Sequence, residues 1–302
     1  MPVSNEGLWD KVRAYIDRYN GQIMDRANYD IKVLLALDTL LLVDMYQTMA
    51  LALAPKCPEE FKAQVDAVKG TLDKVMAFLH SEGTDRQTNV MLINDVSTGL
   101  SNFLQFLGRC AGFEVKVVEA PDQTEGPSYC HIRKYIIADK PLPFETLVLP
   151  ESQKAIEIAM NHARAFDTYH SQLVEYIWSK TGWAWVIPLA LMGLEASYLY
   201  NDLALLFMFR CPWLFTGKFL QETVNVLKHI TRVLSGNPDS QPDVYTDFIT
   251  WRKDFIEAIA QCFGVYIEVK PIPGSNGMEM AVVKYEPITS QCIPELRALP
   301  RC

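Results

Sequence analysis

The chain has no glycine-rich phosphate loop, no HExxH helix, no nucleophile elbow and no CxxC pair. These gaps remove the constellations that a P-loop nucleotide hydrolase, a zinc protease, an α/β-hydrolase or a thioredoxin-like oxidoreductase would need. Basic residues are scarce. Lys and Arg number 28 against 36 Asp and Glu, giving a formal net charge of −8 and a pI near 5.2, with no run of cations. The long-range field opposes nucleic acid, so no nucleic-acid partner is expected. Histidine is sparse too. His80, His131, His162, His170 and His229 are scattered, with no spacing that a haem site or a Cys/His dyad requires. The N-terminal stretch MPVSNEGLWDKVRAY is polar and amphipathic and lacks an apolar signal core, so no signal peptide is expected. Seven cysteines, an odd number, then give no reason to expect disulfides, and a reducing cytoplasm is the default location.

What the chain has is apolar length. Hydrophobic residues make up 49% of its 302 positions, enough for one large core or two ordinary ones. Two runs approach the length of a membrane span, Ile31 to Pro55 and Trp183 to Phe209. The first is broken by Lys32, Asp38 and Asp44, the second by Glu195, Asn201 and Asp202. Central acids are costly in a bilayer, so both runs read as buried helices and no transmembrane segment is expected. Because unpaired buried carboxylates are costly, these acids are expected at helix edges or interfaces.

Periodicity predicts helices over about 5–29, 32–54, 59–81 and 88–110, the last closed by Gly112. Two strands follow, about 113–120 and 128–138, joined by a polar turn with Gly and Pro. After KPLPFETLVLP the pattern starts again. Leu35, Ala36, Leu37, Leu40, Tyr46, Cys57 and Pro58 recur 154 residues on as Leu189, Ala190, Leu191, Leu194, Tyr200, Cys211 and Pro212. Phe103, Cys110, Gly112 and Val117 recur 152 residues on as Phe255, Cys262, Gly264 and Val269. Four blocks recur in one order, with Pro, Gly and Cys at element ends, where chance apolar matching would not put them. The expected architecture is α+β. It is a tandem duplication of a mainly helical module ending in a two-stranded antiparallel β-hairpin, spanning 1–145 and 146–302 and packed as a pseudo-two-fold dimer. The four matched cysteines read as small core residues, with paired thiols across the pseudo-axis as the alternative.

Within the first hairpin, Glu119, Asp122 and Cys130 form a spaced set of candidate metal ligands. The segment Gly112 to Ile137 resembles the 4-vinyl reductase domain, a small-molecule-binding module related in fold to the Bet-type subunits of the TRAPP tethering complex. That family pattern is a helix, then V-x-V-x-E, two residues, Cys, a polar turn and a second Cys. Here Glu119 holds the Glu position, Asp122 replaces the first Cys and Cys130 holds the second. The resemblance implies a zinc site at these residues, with Asp95 as the nearest candidate for a further ligand, since zinc takes four. In the second half Pro271, Gly274 and Met280 stand in their places, so the ligand set is confined to the first.

Three functions follow as expectations. One is a non-enzymatic binding or scaffold protein holding an apolar small molecule or acyl chain, with Trp178, Trp183, Trp185, Tyr198, Tyr200, Phe207, Phe209 and Trp213 as candidate lining. The second is a protein–protein assembly or adaptor protein with no small-molecule ligand, its partner another protein. The third, a reductase-type enzyme, rests on the family name alone.

Overall fold

The computed structural model describes residues 30–110, 114–120, 132–137, 149–181, 200–207, 211, 217–234, 241–273 and 279–288, with positions 14 and 193. The predicted helix over 5–29 and most of the second apolar run lie outside the described residues. The architecture is mostly helical, with two-stranded antiparallel sheets, as expected of an α+β chain.

The element at the centre is α1, Ile31–Leu53. Asp30 caps it, its Oδ1 accepting from the backbone N–H of Lys32 at 2.9 Å. Apolar residues run all round this helix, so it must be covered on every side. Within it only Ile31, Asp38 and Gln47 escape full burial. By length and composition α1 would cross a membrane, but 89% of its apolar window is covered by the protein's own elements. The cover comes from α2 (Pro58–His80), α3 (Arg86–Cys110), α4 (Ser152–Arg164), α5 (Asp167–Thr181) and α8 (Gln241–Cys262).

These helices are amphipathic, with one dry face each. In α2 that face is Phe61, Val65, Val68, Leu72, Val75 and Leu79, at steps of three and four. Pro58 opens it from the first turn, where a missing N–H is harmless. Asp85 caps α3 through the backbone N–H groups of Gln87 and Thr88, each at 3.2 Å. Lys32, buried at the start of α1, sends its Nζ to the carbonyls of Phe78 and Ser81 at 2.8 and 2.9 Å, closing the C-terminal end of α2.

β1 (Val115–Ala120) follows α3 and pairs antiparallel with β2 (Ile132–Ile137), Val115 opposite Ile137. The remaining elements are α6 (Tyr200–Phe207), α7 (Gly217–Leu234), and β3 (Val265–Pro271) paired with β4 (Met280–Pro287). Gly264 turns the chain from α8 into β3 at φ +74°, a left-handed value that a side chain would strain. In β3, Val265, Ile267 and Val269 alternate inward. In β4 the inward set is Met280, Val282 and then Tyr285. The register slips between Glu268 and Val269, and the exposed Val283 is the extra residue that resets the alternation. Glu257 of α8 accepts the N–H of Val269 at 3.0 Å, beside this irregularity.

One hydrophobic cluster of buried residues runs through both halves of the chain. α4 and α5, beyond residue 145, pack directly on α1, and α4 packs on β4. The end of α1 is tied to the end of α8 and to β4. Lys56 Nζ donates to the Phe263 carbonyl, and the Tyr285 hydroxyl donates to the Ala52 carbonyl at 2.9 Å. Tyr285→Phe deletes that donor in a buried setting and is expected to cost about 1–2 kcal/mol, read from urea unfolding midpoints at an unchanged slope.

Some positions that match in sequence are neighbours in both halves, with different geometry. Tyr46 stacks on Phe103 with ring centres 3.7 Å apart, and Tyr200 meets Phe255 at 6.1 Å. Cys57 faces Cys110, and the sulfurs of Cys211 and Cys262 are joined, their Cα atoms 5.9 Å apart. This corrects two expectations. A disulfide is present, and the matched cysteines pair within each half rather than across an axis. Spacing hid the pairing because each partner sits at the far end of a different helix.

Candidate functional site

Of the three expected metal ligands, only Glu119 falls among the described residues. Glu119 stands in β1 with Arg133 directly across the ladder, while Asp122 and Cys130 lie outside the described residues. Asp95 is on the exposed face of α3, lining a cleft of about 320 Å³ between α2 and α3 with Lys74, Gln64 and Asn102. Among the described residues no three His, Cys, Asp or Glu side chains converge as a metal set. With Asp122 in place of the first Cys, the ligand set that the resemblance implies holds a single thiolate, Cys130. Acid digestion is expected to release well under one zinc per chain, unchanged in Cys130→Ala. One zinc per chain, lost in that variant, would reinstate the site.

The charged cluster that the fold does assemble lies where α1, α5, α8 and the approach to β4 meet. α1 contributes Asp44 and, nearly one turn on, Gln47. The first turn of α5 contributes Asp167 and His170. Gln47 Nε2 donates to Asp167 Oδ1 at 2.9 Å, and His170 Nε2 lies 3.5 Å from Asp44 Oδ1. Arg252, on α8, is buried, and its charge acts on both Asp44 and His170. Glu279 and Arg164 reach the same place and line, with Asp167 and Arg252, a cavity of about 50 Å³.

Asp44 is buried at the interface of α1 with α5, one of the two placements expected of these acids, and Asp202 is buried as well. The second oxygen of Asp44, Oδ2, meets no hydrogen-bond partner within the protein. Burial pushes the Asp44 carboxyl up from 3.8 to about 7, against the opposing pull of Arg252. His170 moves the other way. Burial and then Arg252 hold its imidazole down to about 4, outweighing Asp167 and Glu279. At neutral pH His170 is therefore uncharged, and its 3.5 Å approach to Asp44 is not an ion pair. Little along the chain signals this cluster, because Asp44 and His170 are far apart in it. The one signal is an acid with no counterpart in the matched helix, inside a run that otherwise has to be dry.

Chemically the cluster holds two groups with displaced proton affinities, a common mark of acid–base sites. Its cavity has room for about one water molecule and none for a substrate. A wider cleft of about 690 Å³ lies between the start of α1, the end of α2 and α5, lined by Lys32, His80, Glu82, Glu175, Tyr176 and Lys180 among others. Its lining mixes polar with apolar groups. His80 is held within it by its own helix, Nδ1 lying 2.8 Å from the Met76 carbonyl.

No protein-family model, curated protein or solved structure matches the chain.

Proposed function

We propose that the chain is a non-enzymatic scaffold protein, built from two related modules folded as an intramolecular pseudo-dimer, whose partner is another protein. The observation that carries this reading is α1. It is sheathed by helices from both halves, and the charged cluster around its one strongly perturbed acid, Asp44, adjoins a space too small for a substrate, lined by Gln47, Asp167 and Arg252. Tyr46 with Phe103 and Tyr200 with Phe255, together with the two cysteine pairs, support common descent of the halves. The resemblance of the first hairpin to the 4-vinyl reductase domain, a small-molecule-binding module fold-related to tethering-complex subunits, supports a binding or assembly role.

The holding of an apolar molecule or acyl chain is the second reading. The apolar run and its tryptophans favour it, but most of that stretch lies outside the described residues. The clefts between described helices are open and mix polar with apolar lining, so neither is the enclosed apolar cavity that an acyl chain needs, which favours a protein partner. Trp178 and Met91 are 53% and 59% exposed and offer apolar footholds on the surface. Native mass spectrometry of the full chain, with and without Trp178→Glu and Met91→Glu, separates the readings. The scaffold reading expects no uptake of offered fatty acids and a defined protein partner lost on substitution. Stoichiometric acyl uptake, or a bare monomer indifferent to both substitutions, overturns it.

A further inference from the structure

Two helix ends meet through sulfur in each half. Cys211 and Cys262 join the segment after α6 to the last residue of α8. Cys57, just beyond α1, and Cys110, the last residue of α3, occupy the matched places and are free thiols in contact with each other. Cys57 and Cys211 each precede a proline, and Cys110 and Cys262 each stand two residues before a glycine. In the second pair the Cα atoms lie 5.9 Å apart, within the range a disulfide spans. The first pair has a further property. Cys57 is buried, whereas Cys110 is half-buried and meets solvent. The accessible sulfur therefore has a covered partner at its back.

We infer that Cys57 and Cys110 are a redox modification site, a dithiol that a low-molecular-weight disulfide converts to an intramolecular disulfide matching Cys211–Cys262. Cys110 gives its proton to solvent, and its thiolate attacks one sulfur of the oxidant. A mixed disulfide forms and the first small thiolate leaves. Cys57 then loses its proton and attacks the Cys110 sulfur. The Cys57–Cys110 bond forms, and the second small thiolate is released. Two electrons pass from the protein pair to the oxidant, which ends as two thiols. The order follows from access. The Cys110 hydrogen bond, then burial, raises the Cys57 thiol, so Cys57 keeps its proton and waits as the resolving group. The bond closes the end of α1 onto the end of α3, from which β1 emerges. This inference rests on the sulfur geometry and not on the scaffold reading.

The test is a non-reducing tryptic map of the full chain equilibrated across glutathione buffers from reducing to oxidising. Cleavage after Lys56 and Arg109 frees the peptides Cys57–Lys62 and Cys110–Lys116. In oxidising buffer most wild-type chains are expected to carry these two peptides linked. Cys57→Ser is expected to accumulate glutathione on Cys110, and Cys110→Ser to leave Cys57 as a free thiol, with circular dichroism confirming that each variant is folded. The inference is overturned if folded wild type keeps both thiols free in oxidising buffer. Separate glutathione adducts at the two positions, or links from either to another cysteine, overturn it equally.

Discussion

Arg252→Met is expected to cost about 1–2 kcal/mol of stability near pH 8, because a carboxyl already raised to about 7 can take up a proton there instead of staying charged and unpaired. The guanidinium is the cation that opposes the desolvation of Asp44. Without it the Asp44 carboxyl, with Oδ2 already unpartnered, is left buried among apolar side chains. The loss should shrink near pH 5, where Asp44 carries its proton in the folded chain and needs no counter-charge. Asp44→Asn removes the charge itself and should rescue part of the damage. A double-mutant cycle by urea unfolding, run at both pH values, reads the coupling. Additive losses, equal at pH 5 and pH 8, would detach Arg252 from Asp44.

The second large effect is one of pH. Asp44 has a folded pKa of about 7 against an ordinary 3.8, so the folded chain holds a proton that the unfolded chain releases. Its stabilising contribution is full below 3.8 and is lost as pH rises through about 7. His170 has a folded pKa of about 4 against an ordinary 6.5, so its contribution is full above 6.5 and is lost as pH falls through about 4. Between about 4 and 6.5 the two slopes have opposite signs, each about 1.4 kcal/mol per pH unit, and they cancel. Single substitutions should unmask them. Relative to wild type, Asp44→Asn should gain stability as pH rises across that window, and His170→Asn should lose it. Urea midpoints taken at half-unit steps check this. Variant profiles parallel to wild type would mean that neither group titrates away from its ordinary range.

Much of the fold is legible in the chain because its causes are local. The α1 boundaries follow from Asp30 as cap and from the apolar run that ends near Pro55. The dry face of α2 can be read from Phe61 to Leu79 at helical steps, and both hairpins from β-branched alternation beside Gly. What cannot be read depends on contacts between distant segments. The cost of burying a lone carboxylate predicts a helix-edge or interface place for Asp44, with no hint of which partners it meets there. The fold raises its pKa, so the proton, with Arg252 nearby, lowers that cost. Gln47 and Asp167 belong to different halves, so no window along the chain contains both. The bulge at Val283 is similarly silent in the sequence, since it is defined by the partner strand. Lys56 reads as part of a turn and proves to close the end of α8.

If the two halves form one cooperative body around α1, that helix cannot open while the rest stays folded. Native-state hydrogen exchange across a urea series tests this most directly, following the amides of α1 (Ile31–Leu53) and α8 (Gln241–Cys262) in the full chain. Both helices are expected to open only with the whole protein, at one free energy and with one urea dependence. Exchange of α1 at a lower free energy, while α8 and its hairpin stay protected, would contradict the single body.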